Sequence, residues 1–136
     1  MKGIRTGLFI ALSLICLGQA SSLQPSEAYR QYAHRPRTEF SKLIYLLDRF
    51  RSTDFMIVFD GITYDAKFAL KFAKKYLAQN YKKEKAESWI KIHAYRTPGA
   101  GRIILMKFAD GRSRPLRDVL LEELSLLEQV EKSNGV

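Results

Sequence analysis

Two short apolar runs, each closed by Asp-Gly and each followed by a helical stretch, constrain this chain more than any other feature. Phe55-Met56-Ile57-Val58-Phe59 leads into Asp60-Gly61, and Arg102 to Phe108 leads into Ala109-Asp110-Gly111. Short runs rich in Phe, Ile and Val favour strands, and Asp-Gly supplies the positive φ of a tight hairpin turn. Ile62-Thr63-Tyr64 and Arg112-Ser113-Arg114 read as the returning strands, the second closed by Pro115. The order strand, turn, strand, helix occurs twice, but Asp-Gly turns are common and no duplication follows from it. Helices and hairpins alternate irregularly, which favours α+β over a parallel α/β sheet. The expected fold is a single compact α+β domain, about four helices packed on a small sheet made of two β-hairpins.

The helices announce themselves by period and cap. Pro25-Ser26-Glu27 reads as a helix start, with Ala28, Tyr29, Tyr32 and Ala33 on one side, and Pro36 disfavours helix at the residue before it. Thr38 can cap the next helix, whose Phe40, Leu43, Ile44, Leu47 and Phe50 recur at amphipathic spacing. Asp65 is the cap of a helix over about 66–81. At about 100° per residue, its Lys67, Lys71, Lys74 and Lys75 share one wedge. Ala66, Ala69, Leu70, Ala73 and Leu77 lie opposite, with Phe68, Phe72 and Tyr76 widening the apolar side as core residues. A further helix over about 84–95 buries Ala86, Trp89, Ile90 and Ala94, and the last carries Leu116, Val119, Leu120, Leu124, Leu127 and Val130. Phe55, Ile57, Phe59, Tyr64, Trp89, Ile104 and Phe108 should join hairpins to helices in the core.

The amino end predicts export. Lys2 and Arg5 form a positive n-region, Gly7 to Leu17 is apolar, and Gly18-Gln19-Ala20 offers the small residues of a cleavage site. The apolar stretch falls short of the roughly 20 residues a bilayer span needs. Ile15 before Cys16 is too large for lipoprotein processing. Cleavage after Ala20 takes 20 of the 136 residues, leaving 116 with no Cys, which suits an oxidising compartment. The chain therefore divides into a signal peptide (1–20), a tail with a short helix (21–38), the α+β domain (39–131) and a frayed tail (132–136). Its expected address is the periplasm or the medium. Loss of Lys2 and Arg5 lowers the net charge from +9 to +7, still basic enough to attract anionic partners.

The stretch from Phe55 to about Leu127 resembles the YfeK-like family of small exported bacterial proteins of unknown function. The carrying residues are F-x-x-x-F-D-G-x-x-Y (Phe55 to Tyr64), the Ala- and Lys-rich helix, A-E-x-W-I (Ala86 to Ile90), Ala94, the loop to Gly101, and F-A-D-G-x-x-x-P-L (Phe108 to Leu116). The family usually has Asn where Asp60 stands, often His-Leu where Phe72-Ala73 stand, and a Ser-rich segment where Thr97-Pro98-Gly99-Ala100 stand. The resemblance implies the fold and an exported location. It implies no reaction.

The residues themselves exclude more chemistry than they nominate. One Cys and two His preclude a Cys-based zinc cluster or a His-rich site, and no GxGxxG or GxxxxGK[ST] is present. No cofactor and no metal is expected. His93, one turn after Trp89, is the best catalytic candidate, but Glu87 and Asp110 have no diagnostic spacing from it. His34 sits in a Pro-containing connection. Glu122 and Glu123 diverge by about 100° on the last helix and cannot share one site, and Glu123 should pair with an Arg. Two binding surfaces remain. One is the run Lys67, Lys71, Lys74, Lys75, Lys82, Lys83 and Lys85, suited to anionic polymer, lipid headgroups or an acidic protein. The other is the loop Arg96, Gly99, Gly101 and Arg102, whose amides could cradle an anion. With no aromatics interleaved in the Lys wedge, nucleic acid is not expected. The reading is a small exported non-catalytic envelope protein, a binding or accessory module for another envelope component, or a binder of anionic surfaces. A hydrolase is the less favoured third.

Overall fold

The computed structural model describes residues 26–133. The leader, Cys16 and the cleavage site therefore lie outside the described residues, as do the last three positions. Five helices and a four-stranded antiparallel sheet follow one another. They are α1 (Glu27–Ala33), α2 (Glu39–Arg49), β1 (Phe55–Phe59), β2 (Ile62–Asp65), α3 (Ala66–Asn80), α4 (Ala86–His93), β3 (Leu105–Phe108), β4 (Ser113–Pro115) and α5 (Leu116–Ser133). The class is α+β, with one helix more than the four or so expected.

The strand order is β2-β1-β3-β4. At the first turn Phe59 pairs with Ile62, and Asp60 (φ 51°) and Gly61 (φ 78°) both take the left-handed conformation that such a two-residue turn demands. The two central strands pair antiparallel from Phe55↔Phe108 to Val58↔Leu105. Pro115 sits on the edge strand β4, where the ladder needs no further N–H. Side-chain caps start the helices. Ser26 Oγ accepts from the Tyr29 N–H (3.1 Å), Thr38 Oγ1 from that of Ser41 (3.1 Å), and Asp65 Oδ1 from that of Phe68 (2.8 Å). Asp65 also ends β2, so α3 leaves the sheet with no intervening loop.

Several boundaries move, each for a visible reason. The strand expected from Arg102 starts at Leu105. Before that, the Ile104 N–H donates to the Tyr95 carbonyl (2.8 Å) and the Leu116 N–H donates to the Ile104 carbonyl (2.9 Å), which ties this stretch to its own loop and to α5. The helix expected over 84–95 is shorter, Ala86–His93. Residues 26–38 are more than a tail. Tyr32 is fully buried, its ring lies 5.6 Å from that of Tyr45, and its hydroxyl donates to Glu131 (3.0 Å). That contact also holds the end of α5, which stays helical through Lys132 and Ser133, where fraying was expected.

The main core joins α1, α2 and α5 to the sheet. Phe55, Ile57, Trp89 and Ile104 are buried as expected, whereas Phe59, Tyr64 and Phe108 are half-buried. Phe68 and Phe72 contradict the expectation outright, being 53% and 54% exposed. Only Leu77 of α3 is buried. The helix faces the body with Ala66, Ala69, Leu70 and Ala73, and small side chains on that face do not fill the space beneath it. Among the described residues no helix is long and apolar enough to cross a membrane.

Candidate functional site

That unfilled space is a cavity of about 530 Å³ between α3, α4 and the sheet. Its floor includes Phe55, Ile57, Ile104 and Met106, and its roof is Ala69, Ala73 and Leu77. Among its lining residues Phe68, Phe72 and Ile92 are more than half exposed, Ile92 at 66%, and so mark the mouth. Aromatic rings run along this side. Tyr64 stacks on Phe68 (5.1 Å), Phe72 on Tyr76 (6.2 Å), Tyr76 meets Trp89 edge-on (6.1 Å), and Trp89 lies 4.7 Å from His93. A volume within the roughly 300–1,000 Å³ of small-molecule sites, with apolar walls and few polar groups, is the geometry of a ligand pocket.

The polar lining is sparse. It consists of Tyr64, Tyr76, Trp89, His93 and Arg96, with no carboxylate. His93 Nδ1 lies 3.0 Å from the Tyr76 hydroxyl. The buried Trp89 indole N–H has no hydrogen-bond partner. His93 thus has a partner, but not a catalytic one. Glu87 pairs with Lys91 (2.9 Å) and Asp110 with Arg112 (2.7 Å). His34 is exposed at the carboxyl end of α1. Glu122 is exposed and paired with Arg114, whereas Glu123 lies 3.7 Å from the Arg49 Nε. Burial pushes the Glu123 carboxyl above its ordinary range, with Arg49 opposing. Among the described residues no group of three His, Cys, Asp or Glu could hold a metal ion.

The Lys wedge divides in two. Lys74 turns inward and pairs with the nearly buried Asp48 (3.0 Å), which also holds Arg35 (3.2 Å). Lys67, Lys71 and Lys75 are exposed and have no acidic partner among the described residues, and the exposed Phe68 and Phe72 lie beside them on the helix. The aromatics thus border the cation wedge on the side of the cavity, exposed where burial was expected. Lys82 and Lys83 are exposed in the turn after α3, and Lys85 is exposed at the start of α4.

The Arg96–Arg102 loop is locked from within. The Thr97 N–H donates to the Arg102 carbonyl (2.8 Å), that of Gly101 to the Thr97 carbonyl (3.0 Å), and that of Arg102 to the Thr97 hydroxyl (3.2 Å). The Thr97 hydroxyl in turn donates to Asp60, joining the loop to the first hairpin turn. Gly99 (φ 82°) and Gly101 (φ 67°) occupy conformations that favour glycine. Most amides expected to cradle an anion thus donate inside the loop. Arg96 is set differently. Its guanidinium donates to the Gly101 carbonyl (2.8 Å) and stands 4.9 Å from the Tyr95 ring, with no carboxylate beside it.

Sequence reasoning missed the cavity. Its trace was Ala69 and Ala73 on the inward face of α3, where larger residues would close the gap. Fold and pocket together define a small α+β domain with an apolar, aromatic-rimmed cavity. No known family pattern matches the chain, and no curated protein and no solved structure matches it.

Proposed function

We propose that this protein is a small exported, non-catalytic binding module that holds an apolar ligand beneath α3. The cavity carries the reading, because a space of about 530 Å³ with apolar walls represents cohesion forgone unless something occupies it. The signal-like leader read from Lys2 to Ala20 supports an envelope location. The hydrogen-bond partner of His93 Nδ1 is the Tyr76 hydroxyl and not a carboxylate, which supports binding over hydrolysis. N-phenylnaphthylamine, a neutral fluorescent probe, tests it. Trp89 is the sole tryptophan and lines the cavity, so a bound probe should accept energy from it. Saturable energy transfer is the expected result, and no transfer at any probe concentration overturns the reading.

A second reading, contact with an anionic membrane surface, gains from the exposure of Phe68 and Phe72 beside Lys67, Lys71 and Lys75. Cations flanking exposed aromatics on one helix suit the boundary between headgroups and acyl chains. Retention on phosphatidylglycerol vesicles should exceed that on phosphatidylcholine and weaken with salt, since screening acts within about 8 Å at physiological strength. Replacing the three lysines by Gln should abolish it. Equal retention on both lipids would remove this reading and leave the cavity standing.

A further inference from the structure

The polar groups around the cavity are biased toward one kind of ligand, and the inference that follows rests on the cavity reading above. A ligand that places a hydrogen-bond donor or a cation at this wall finds no carboxylate to receive it. The side chains present donate. Arg96 offers guanidinium N–H groups and has no acid neighbour. In the tautomer that accepts the Tyr76 hydroxyl proton at Nδ1, His93 carries its own proton at Nε2 as a further donor. His93 and Arg96 both line the cavity from one short stretch of chain, the end of α4 and its exit.

We infer that the ligand is an amphiphile with an apolar body and an anionic oxygen head, of the fatty-acid class, its body under α3 and its head at Arg96 with His93. The Gly101 carbonyl and the Tyr95 ring hold the guanidinium in place without neutralising it. An anion there gains an ion pair with the guanidinium, which an ester of the same shape cannot make.

The test compares dansyl-undecanoic acid with its methyl ester on the full chain, each read by energy transfer from Trp89. The acid should bind about tenfold more tightly, the scale of one charge-assisted bond partly exposed to water. Arg96→Gln should bring the two affinities together by weakening the acid far more than the ester, and retained ester binding also shows that the variant is folded. Arg96→Lys should restore part of the preference. Replacing Lys67, Lys71 and Lys75 by Gln should leave it intact. Equal binding of acid and ester to the wild type would overturn the anionic head and keep the cavity. A preference lost with the three lysines and kept in Arg96→Gln would overturn it too, by placing the head at α3. If neither probe draws energy from Trp89, the cavity reading fails and this inference fails with it.

Discussion

The side of the molecule built by α1, α2 and α5 and the side built by α3 and α4 are packed to different standards. On the first, Tyr32, Tyr45 and Leu127 have no exposed surface and Leu46 almost none, and α5 alone buries Val119, Leu120, Leu124, Leu127 and Val130. Cross-links tie its helices together, Tyr32 and Arg37 both reaching Glu131, and Lys42 bridging Glu39 and Glu128. On the second side a helix of 15 residues buries one of them and roofs a cavity. Stability resides in the first side, which leaves the second free to accept a guest. Regions that open for ligands come from the weakly packed end of a structure.

The largest expected effect tests the tight side. Leu127→Ala removes a fully buried side chain from a region with no slack, and should cost about 3 kcal/mol, within the range of 2–5 seen for such truncations. A shift in denaturant midpoint measures it. A cost below about 1 kcal/mol would mean that this side relaxes as readily as the other and that the contrast is false.

Much of the first side was legible because local rules and tertiary packing agree there. Thr38 and Asp65 both read as caps and both cap, and Asp60-Gly61 read as a tight turn and makes one. The stripe of α2 pointed at the core, although Phe40, Ile44 and Leu47 end half-buried while Tyr45 and Leu46 are fully inside. The second side was less legible for a physical reason. Periodicity shows which residues share a face but not whether anything covers that face. Phe68 and Phe72 are apolar, and the helical wheel set them beside the core, yet nothing covers them and both are more than half exposed. The pairing of Lys74 with Asp48 spans 26 positions and has no local signature. Arg96 and the Gly101 carbonyl are close in sequence, but their contact depends on a loop closed by Thr97, and composition marked that loop only as irregular.

An intermediate effect is expected where the two sides are stitched together. Lys85 gives α4 no side-chain cap. Glu39, from α2, supplies it from a distance by accepting from the Ala86 N–H (2.9 Å) while its other oxygen meets Lys42 (2.9 Å). Burial works to raise the Glu39 carboxyl, but the Ala86 N–H and Lys42 outweigh it and hold the carboxyl below its ordinary value of 4.5. A carboxyl lowered by folding stabilises the folded state above its unfolded value, and that contribution disappears as pH falls through the folded value. Glu39→Ala should therefore cost about 1 kcal/mol at neutral pH, a typical cap trimmed by partial exposure. The gap to wild type should shrink below pH 4.5. A gap constant down to strongly acid pH would show that Glu39 acts by packing alone.

The smallest expected stability change is the most discriminating. Ala73→Leu points a larger side chain into the cavity from its roof. Leu is nearly as good a helix former as Ala, so the helix itself is indifferent to the change. In a filled core the added carbons would force displacements costing about 1–3 kcal/mol. Into empty apolar space they add contacts, and filling a cavity typically stabilises by about 0.5–2 kcal/mol. The mouth of this one is open, so the gain should sit near the lower end, about 0.5 kcal/mol. N-phenylnaphthylamine uptake should fall at the same time, because the side chain takes the probe's place. Stability and binding would then move in opposite directions from one substitution. A destabilisation above about 1 kcal/mol would mean that α3 lies closer to the sheet in solution, with its roof already in contact with the floor.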